Sequence, residues 1–236
     1  MAAANLFILD QRGVIRRNER REIPAVLNLM KGMLMVKVYS IGGVTPVVHP
    51  TAFIHPTASL IGDVVIGPDC YVGPGASIRA DFGRFEMGRG SNFQDNCTAH
   101  GFVGEEIIVG EDCNIGHGAV IHGAVIHDRV LVGMNAVVMD GVVLHDDVLV
   151  AALAFIPAAM KVPAGVIAAG TPAKIMRELT EEEKKWKVAG NHDYHKLTER
   201  CRHSLMETEA LTQLDGPLPR LKLEGSEPLY KTRQKT

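Results

Sequence analysis

Aromatic residues are scarce in this chain: Phe, Tyr and Trp make up 5% of its 236 residues, with a single Trp. A core assembled from large rings is excluded, so the interior must be aliphatic and small. Cysteine is sparse too. Cys70, Cys97, Cys113 and Cys201 do not make the framework of a disulfide-stapled fold. The first three fall at inward positions of the repeat described below, as small core fillers, which points to a reducing, cytoplasmic setting. No run approaches the roughly 18 apolar residues of a membrane span, so no membrane partner is expected. A net charge of −2 leaves no general electrostatic footprint for nucleic acid. Leu6–Leu9 is too short for a signal peptide, and it precedes the cluster Arg12, Arg16, Arg17, Arg20 and Arg21 instead of following it.

What the chain has in plenty is a period of six. Val48, Ile54, Leu60, Ile66, Val72 and Ile78 are all aliphatic at six-residue steps. Ala52, Ala58, Val64, Cys70, Ala76 and Phe82 stand four positions further on in each unit. Met87, Phe93 and Ala99 form a second run, and Val109, Ile115 and Ile121 a third. A fourth runs from Ile126 through Val132, Val138, Leu144, Val150 and Ile156 to Val162. A helix needs apolar spacings of three and four, and a simple amphipathic strand needs two. A sustained six is the mark of a parallel β-helix, in which each coil lays its apolar residues on those of its neighbours. The breaks between runs mark loops: three extra residues between Ile78 and Met87, four between Ala99 and Val109, and one too few between Ile121 and Ile126.

We read residues 1–34 as an N-terminal extension, either flexible or upstream of the true start at Met30, Met33 or Met35, with a basic arm for acidic partners as the alternative. Residues 35–176 are the β-helix. Gly170-Thr-Pro-Ala173 is a turn. Thr180 and Glu183 stand at capping-box spacing before a helix within 177–212. Its inward residues are expected to include Trp186, Tyr194, Leu197, Cys201 and Leu205. Residues 213–236, rich in Pro and charge, are expected to form a flexible tail.

The histidines carry the chemistry. His100 and His122 are each second in their units. Once four loop residues are set aside, their separation equals one coil of three hexapeptides, so they stack on one face. Their backbones would lie about 4.8 Å apart, close enough for both imidazoles to bind one Zn2+. Arg79 falls in the same column. His117, third in its own unit and one face earlier, does not easily reach that ion. A symmetric neighbour is the economical source of its ring, which points to a site between subunits. The second position also tolerates outward polar residues, as His49, His55, His127 and His145 show. Spacing alone leaves open a reading as solvated surface histidines.

The ordered set Arg79-Ala-Asp81, Asn92-Phe-Gln94-Asp95 with His100 five residues on, then His117 and His122, resembles the γ-class carbonic anhydrase-like hexapeptide family (R-x-D, N-x-Q-D-x4-H, H-x4-H). From Met35 on, Gly62-Asp-Val64, Gln94-Asp-Asn-Cys97, Gly133–Gly141 and His192-Asp-Tyr194 are similar to its phenylacetate-degradation and carnitine-operon subfamily. The resemblance implies an all-β solenoid, a left-handed parallel β-helix of about six triangular coils with a C-terminal helix packed on it. It also implies a homotrimer with metal sites between subunits. His100 and His122 of one chain and His117 of the next would hold Zn2+, with Fe2+ or Co2+ as alternatives. Arg79, Asp81, Asn92 and Asp95 would be interface or structural residues. Gln94 would orient water or substrate, and Tyr194 is a candidate to stabilise a developing oxyanion.

The implied activity is metal-dependent hydrolysis of acyl-CoA thioesters in phenylacetate degradation, with water activated at the metal. The alternatives are CO2 hydration, with bicarbonate and CO2 as small substrates, a metal-independent hexapeptide acyltransferase, and a non-catalytic trimeric scaffold. Anhydrases proven as such carry a glutamate where this chain has Phe82, and a longer acidic loop where it has Gly101–Glu106. Glu105 and Glu106 are solvated loop charges or stand-ins for it. Proton export fast enough for CO2 turnover is therefore not expected.

Overall fold

The computed structural model describes residues 36–213, 216–217 and 220–232, with the backbone of two antiparallel strands, Phe7–Leu9 and Ile15–Arg17. Beyond those strands, the reading of residues 1–34 lies outside the described residues. From Lys37 the chain winds as a parallel β-helix with three strand faces. The first face carries strands from Lys37, Ser59, Ser77, Thr98, Val120, Val137 and Phe155. The second carries Val47, Val65, Glu86, Ile107, Val125, Val143 and Lys161. The third carries Phe53, Tyr71, Asn92, Asn114, Leu131, Leu149 and Val166. That makes seven coils, consistent with the left-handed form, where the period predicts about six. The hexapeptide runs begin at Val48 and end at Val162, so they miss the strand at Lys37–Tyr39 and the strand Val166–Gly170. The coils continue past Gly165, and a hairpin through Thr171-Pro172 lays Ala173–Glu178 antiparallel on the last of them, covering an edge that would otherwise offer unpaired backbone.

The six-residue period works because one residue per unit points in and one corner residue per turn is left-handed. Leu60, Ile66, Val72, Ile78, Phe93, Ile115, Ile121, Ile126 and their successors are 0–1% exposed. Corners hold Asp69, Asn96, Asp112, Arg129, Asn135 and Asp147 with φ between 53 and 59°, a conformation Asn and Asp tolerate best after Gly. Cys70, Cys97 and Cys113 are fully buried, and burial pushes their thiols up to about 12, 11 and 12, which makes them inert fillers. Phe82 departs from the inward column: it is 47% exposed, and Phe85, fully buried, fills the core instead. Gly62 pairs with Ala80 and Val64 with Phe85, so residues 81–84 bulge outward opposite Asp63 alone.

The C-terminal helix, α1, spans Glu181–Ser204. Thr180 forms the capping box with Glu183: Thr180 Oγ1 accepts from Glu183 N (3.2 Å) and Thr180 N donates to Glu183 Oε2 (2.9 Å). The fully buried residues of the docked face are polar, and of the residues expected inward only Leu205 turns out exposed. Glu183, Lys187, Asn191 and Thr198 are its buried residues, while Trp186, Tyr194, Leu197 and Cys201 are half-buried and Leu205 is exposed. The reason is the coil edge beneath it, a column of corner carbonyls and carboxylates. Lys187 donates to Arg129 O and Asp147. Asn191 Nδ2 donates to Asp112 (3.1 Å), and His195 Nε2 to Gly90 O (2.9 Å). Four residues rise about 6 Å along a helix, close to the coil spacing of about 4.8 Å, so successive turns meet successive coils. The described part of the tail is tied to α1: Ser226 N and Oγ donate to Asp193 Oδ2 (2.7 and 2.6 Å), and Trp186 Nε1 to Glu227 O (3.1 Å).

Arg177 clamps the start of α1 with two 2.7 Å bonds to Glu183, whose side chain is 3% exposed. The Arg177 guanidinium holds the Glu183 carboxyl down to about 2, from an ordinary 4.5. A depressed carboxylate stabilises the fold above its unfolded value, so this contribution is complete above pH 4.5 and fades as pH falls toward 2. Because Arg177 is half exposed, we take it as about 2 kcal/mol. Trp186, the sole Trp, should report release of the helix over that window. In Glu183→Gln the acid-dependent component should vanish; an unchanged profile would refute the assignment.

Candidate metal centre

The histidine column forms as the spacing predicts. His100 and His122 are register partners on the first face, and their ring centroids are 5.6 Å apart. His122 Nδ1 donates to Asp140 Oδ1 at 2.5 Å. A carboxylate only accepts, so Nδ1 carries a proton, and in the neutral ring Nε2 holds the lone pair. His117 is held in the same way, its Nδ1 at 2.5 Å from Asp95 Oδ2. A carboxylate behind a ligating imidazole is the usual support of a metal ligand, and the donor set at His117 and His122 fits a divalent ion. His100 differs. Its Nε2 faces Asp81 Oδ1 (3.1 Å), and Asp81 is gripped by Arg79 at 2.9 and 3.0 Å. Burial raises the Asp81 carboxyl, but Arg79 and His100 outweigh it and hold it below its ordinary range.

His117 lies at the corner after the third-face strand Asn114–Ile115, whereas His100 and His122 end first-face strands. Among the described residues, no group of three or more His, Cys, Asp or Glu side chains could hold a metal ion within one chain. The two rings facing each other and the third are thus kept at opposite ends of a strand.

Two register breaks wall the His100–His122 pair. Phe82, on the 81–84 bulge, packs against His100 (5.1 Å), and Phe102, on the Gly101–Glu106 loop, stands edge-on to His122 (5.3 Å). Gly104 N donates to Phe82 O (2.8 Å), tying the two excursions together. Glycine at 83 is required by close approach, since a Cβ there would lie 1.8 Å from Glu105 O.

Gln94 and Tyr194 come together elsewhere. Gln94, 7% exposed, accepts from His117 N (3.2 Å) and donates to Asn92 Oδ1 (2.8 Å). Asn92, fully buried, in turn donates to Asn114 Oδ1 (2.7 Å) and to Asn191 Oδ1 on α1 (3.0 Å). Tyr194 packs on Tyr71 (5.5 Å), and burial raises its phenol above the ordinary value, so it stays a neutral donor. Its hydroxyl makes no hydrogen bond among the described residues. Gln94, His117 and Tyr194 share a groove of about 390 Å3 between the third face and α1.

Asp140, Asn114, Asn191 and Phe102 were missed from sequence. Asn114 is the register partner of Asn92, so column arithmetic could have found it. Asp140 is placed by the short corner at Gly123, which brings Asp140 Oδ1 to 2.7 Å from where a Cβ on Gly123 would stand.

Residues 45–80 and 123–158 match the family described as Bacterial transferase hexapeptide (six repeats). A hexapeptide transferase family protein from Anaplasma phagocytophilum superposes with a TM-score of 0.67 at 33% identity, over 69% of this chain and 96% of that one. A putative acetyltransferase from Bacillus cereus gives 0.70 at 27% identity, over 71% and 98%. Fold and repeat together define a hexapeptide-repeat β-helix protein related to transferases. The chain is 47% identical over 184 residues to the carnitine operon protein CaiE of Salmonella newport (strain SL254), covering 78% of this chain and 93% of that one. It belongs to the hexapeptide-repeat family of CaiE, as the motif pattern implied.

Proposed function

We propose that this protein is a metal-dependent hydrolase of acyl-CoA thioesters that works as a homotrimer. The observation that carries the reading is the in-register pair His100 and His122, with carboxylates fixing the tautomers of His122 and of the distant His117. His100 and His122 of one chain and His117 of its neighbour would hold Zn2+, or Fe2+ or Co2+. A divalent ion there supplies Lewis-acid polarisation and activation of water at neutral pH. Asp140 and Asp95 hold the ring protons of His122 and His117. Asn92 fixes the Gln94 amide so that one N–H remains to orient water or the thioester carbonyl. The neutral Tyr194 hydroxyl donates toward a developing oxyanion. CO2 hydration is the second metal reading, disfavoured by the apolar Phe82 and Phe102 where an outgoing proton would need acceptors. The likeness to a putative acetyltransferase favours acyl transfer without metal as the other alternative. A stapled scaffold predicts metal without turnover. No particular acyl group follows from the relative's name, which is for a carnitine operon and not for phenylacetate.

The test is elemental analysis of the purified protein together with CoA release from phenylacetyl-CoA, acetyl transfer from acetyl-CoA, and CO2 hydration. About one metal per chain with metal-dependent CoA release supports the hydrolase. A metal-free protein that transfers acetyl groups would overturn it.

A further inference from the structure

We infer that the groove between the third face and α1 binds the apolar acyl group of the thioester, with the acyl carbonyl at the Gln94–His117 end. The inference rests on the hydrolase reading for the identity of its ligand, and on the groove itself for its shape. Three successive third-face coils form its floor, from Asn114 to His117, Leu131 to Met134 and Leu149 to Ala152. At about 4.8 Å per coil that floor is about 10 Å long, enough for a medium-chain or aryl acyl group. A volume of about 390 Å3 lies in the range of small-molecule pockets and is more than ten times the roughly 30 Å3 share of a water-sized molecule. A site serving CO2 alone has no use for it.

The lining decides which part of the substrate enters. Leu131, Met134, Leu149, Ala151 and Trp186 are apolar, and Gly116 and Gly133 add no side chain at all. The third-face backbone is already paired coil to coil. A pantetheine arm would bury two amides there without partners, at a cost of several kcal/mol each. A hydrocarbon loses nothing polar. The polar groups gather at one end: Gln94, the His117 corner, and the unpartnered Tyr194 hydroxyl. That is the arrangement expected for an acyl chain whose only polar atom is its carbonyl. Lys187, at the opposite edge, is committed to Asp147 and Arg129 O and offers no free charge.

Trp186 lines the groove and is the sole Trp, so its fluorescence reports occupancy in the intact chain without any turnover. We would titrate acetate, butyrate, hexanoate, octanoate and phenylacetate into the wild type and into Ala151→Phe, which fills the floor and leaves Gln94, His117 and Tyr194 in place. The expected result is affinity that rises about three- to fourfold per methylene and levels off when the groove is full. Ala151→Phe should weaken hexanoate and phenylacetate at least about tenfold and leave acetate unchanged. Affinity independent of chain length in the wild type would overturn the proposal, and that series decides even if the variant does not fold. A folded Ala151→Phe that binds phenylacetate as the wild type does would overturn it as well. Chain-length-dependent binding without CoA release would keep the groove and sink the hydrolase. CoA release with no chain-length dependence would do the reverse.

Discussion

His122→Ala is expected, on the proposed metal-hydrolase reading, to strip the protein of metal, from about one ion per chain to near none, and to lower thioester hydrolysis at least about a thousandfold. A tetrahedral ion with three protein ligands cannot spare one without either opening to water or leaving. His122 also anchors its register partner, since its ring stands 5.6 Å from that of His100. Asp140→Asn should act more mildly. The amide oxygen still accepts from Nδ1, but the negative charge behind the ring is gone. A loss of roughly 10- to 100-fold in metal affinity is the usual size of such an effect. Inductively coupled plasma analysis and competition with a chelating dye measure both. Full metal content in His122→Ala would remove this residue from the ligand set and transfer the chemistry to a metal-free transferase.

Gly83→Ala is expected to cost about 3 kcal/mol, seen as a fall of about 5–10 °C in Tm. An added Cβ would meet the Glu105 carbonyl oxygen at 1.8 Å and the carbon behind it at 2.8 Å. Both are backbone atoms, so no side chain can swing aside. The Gly101–Glu106 loop must retreat, which breaks the bond from Gly104 N to Phe82 O and draws Phe102 off His122. The proposed metal site should therefore loosen along with the fold. Gly104→Ala is the control. Its φ of +83° strains a side chain, but nothing lies within 4 Å of the new Cβ, so about 1 kcal/mol is expected. If Gly83→Ala and Gly104→Ala melt alike and bind metal alike, the two loops are not the coupled wall we describe.

Much of the solenoid could be read from the chain because a repeat converts sequence distance into spatial position. Six residues are one strand and eighteen are one coil, so the stacking of His100 on His122 is arithmetic, and so are the buried cysteines and the outward loops at the register breaks. The helix start was equally legible, since Thr180 and Glu183 satisfy each other locally. The periodic rule fails where the period does. Phe82 holds the fourth place after Ile78 by count, but the bulge at 81–84 turns it outward and Phe85 fills the core instead.

What only the tertiary structure decided lies between the repeat and everything that is not repeat. Which face of α1 docks follows from the carbonyls and carboxylates of a coil edge, so Lys187 and Asn191 are buried beside the half-buried Trp186 and Tyr194, while Leu205 is exposed. Asp140 reaches His122 because one corner is a residue short, and the groove exists because α1 stands off the third face over Gly116 and Gly133. Sequence alone determined the coils and the histidine column, because those contacts recur at a fixed separation. The helix contacts pair residues far apart in sequence, such as Asn92 with Asn191 and Gly90 with His195, with no period to announce them, and only the folded chain sets them.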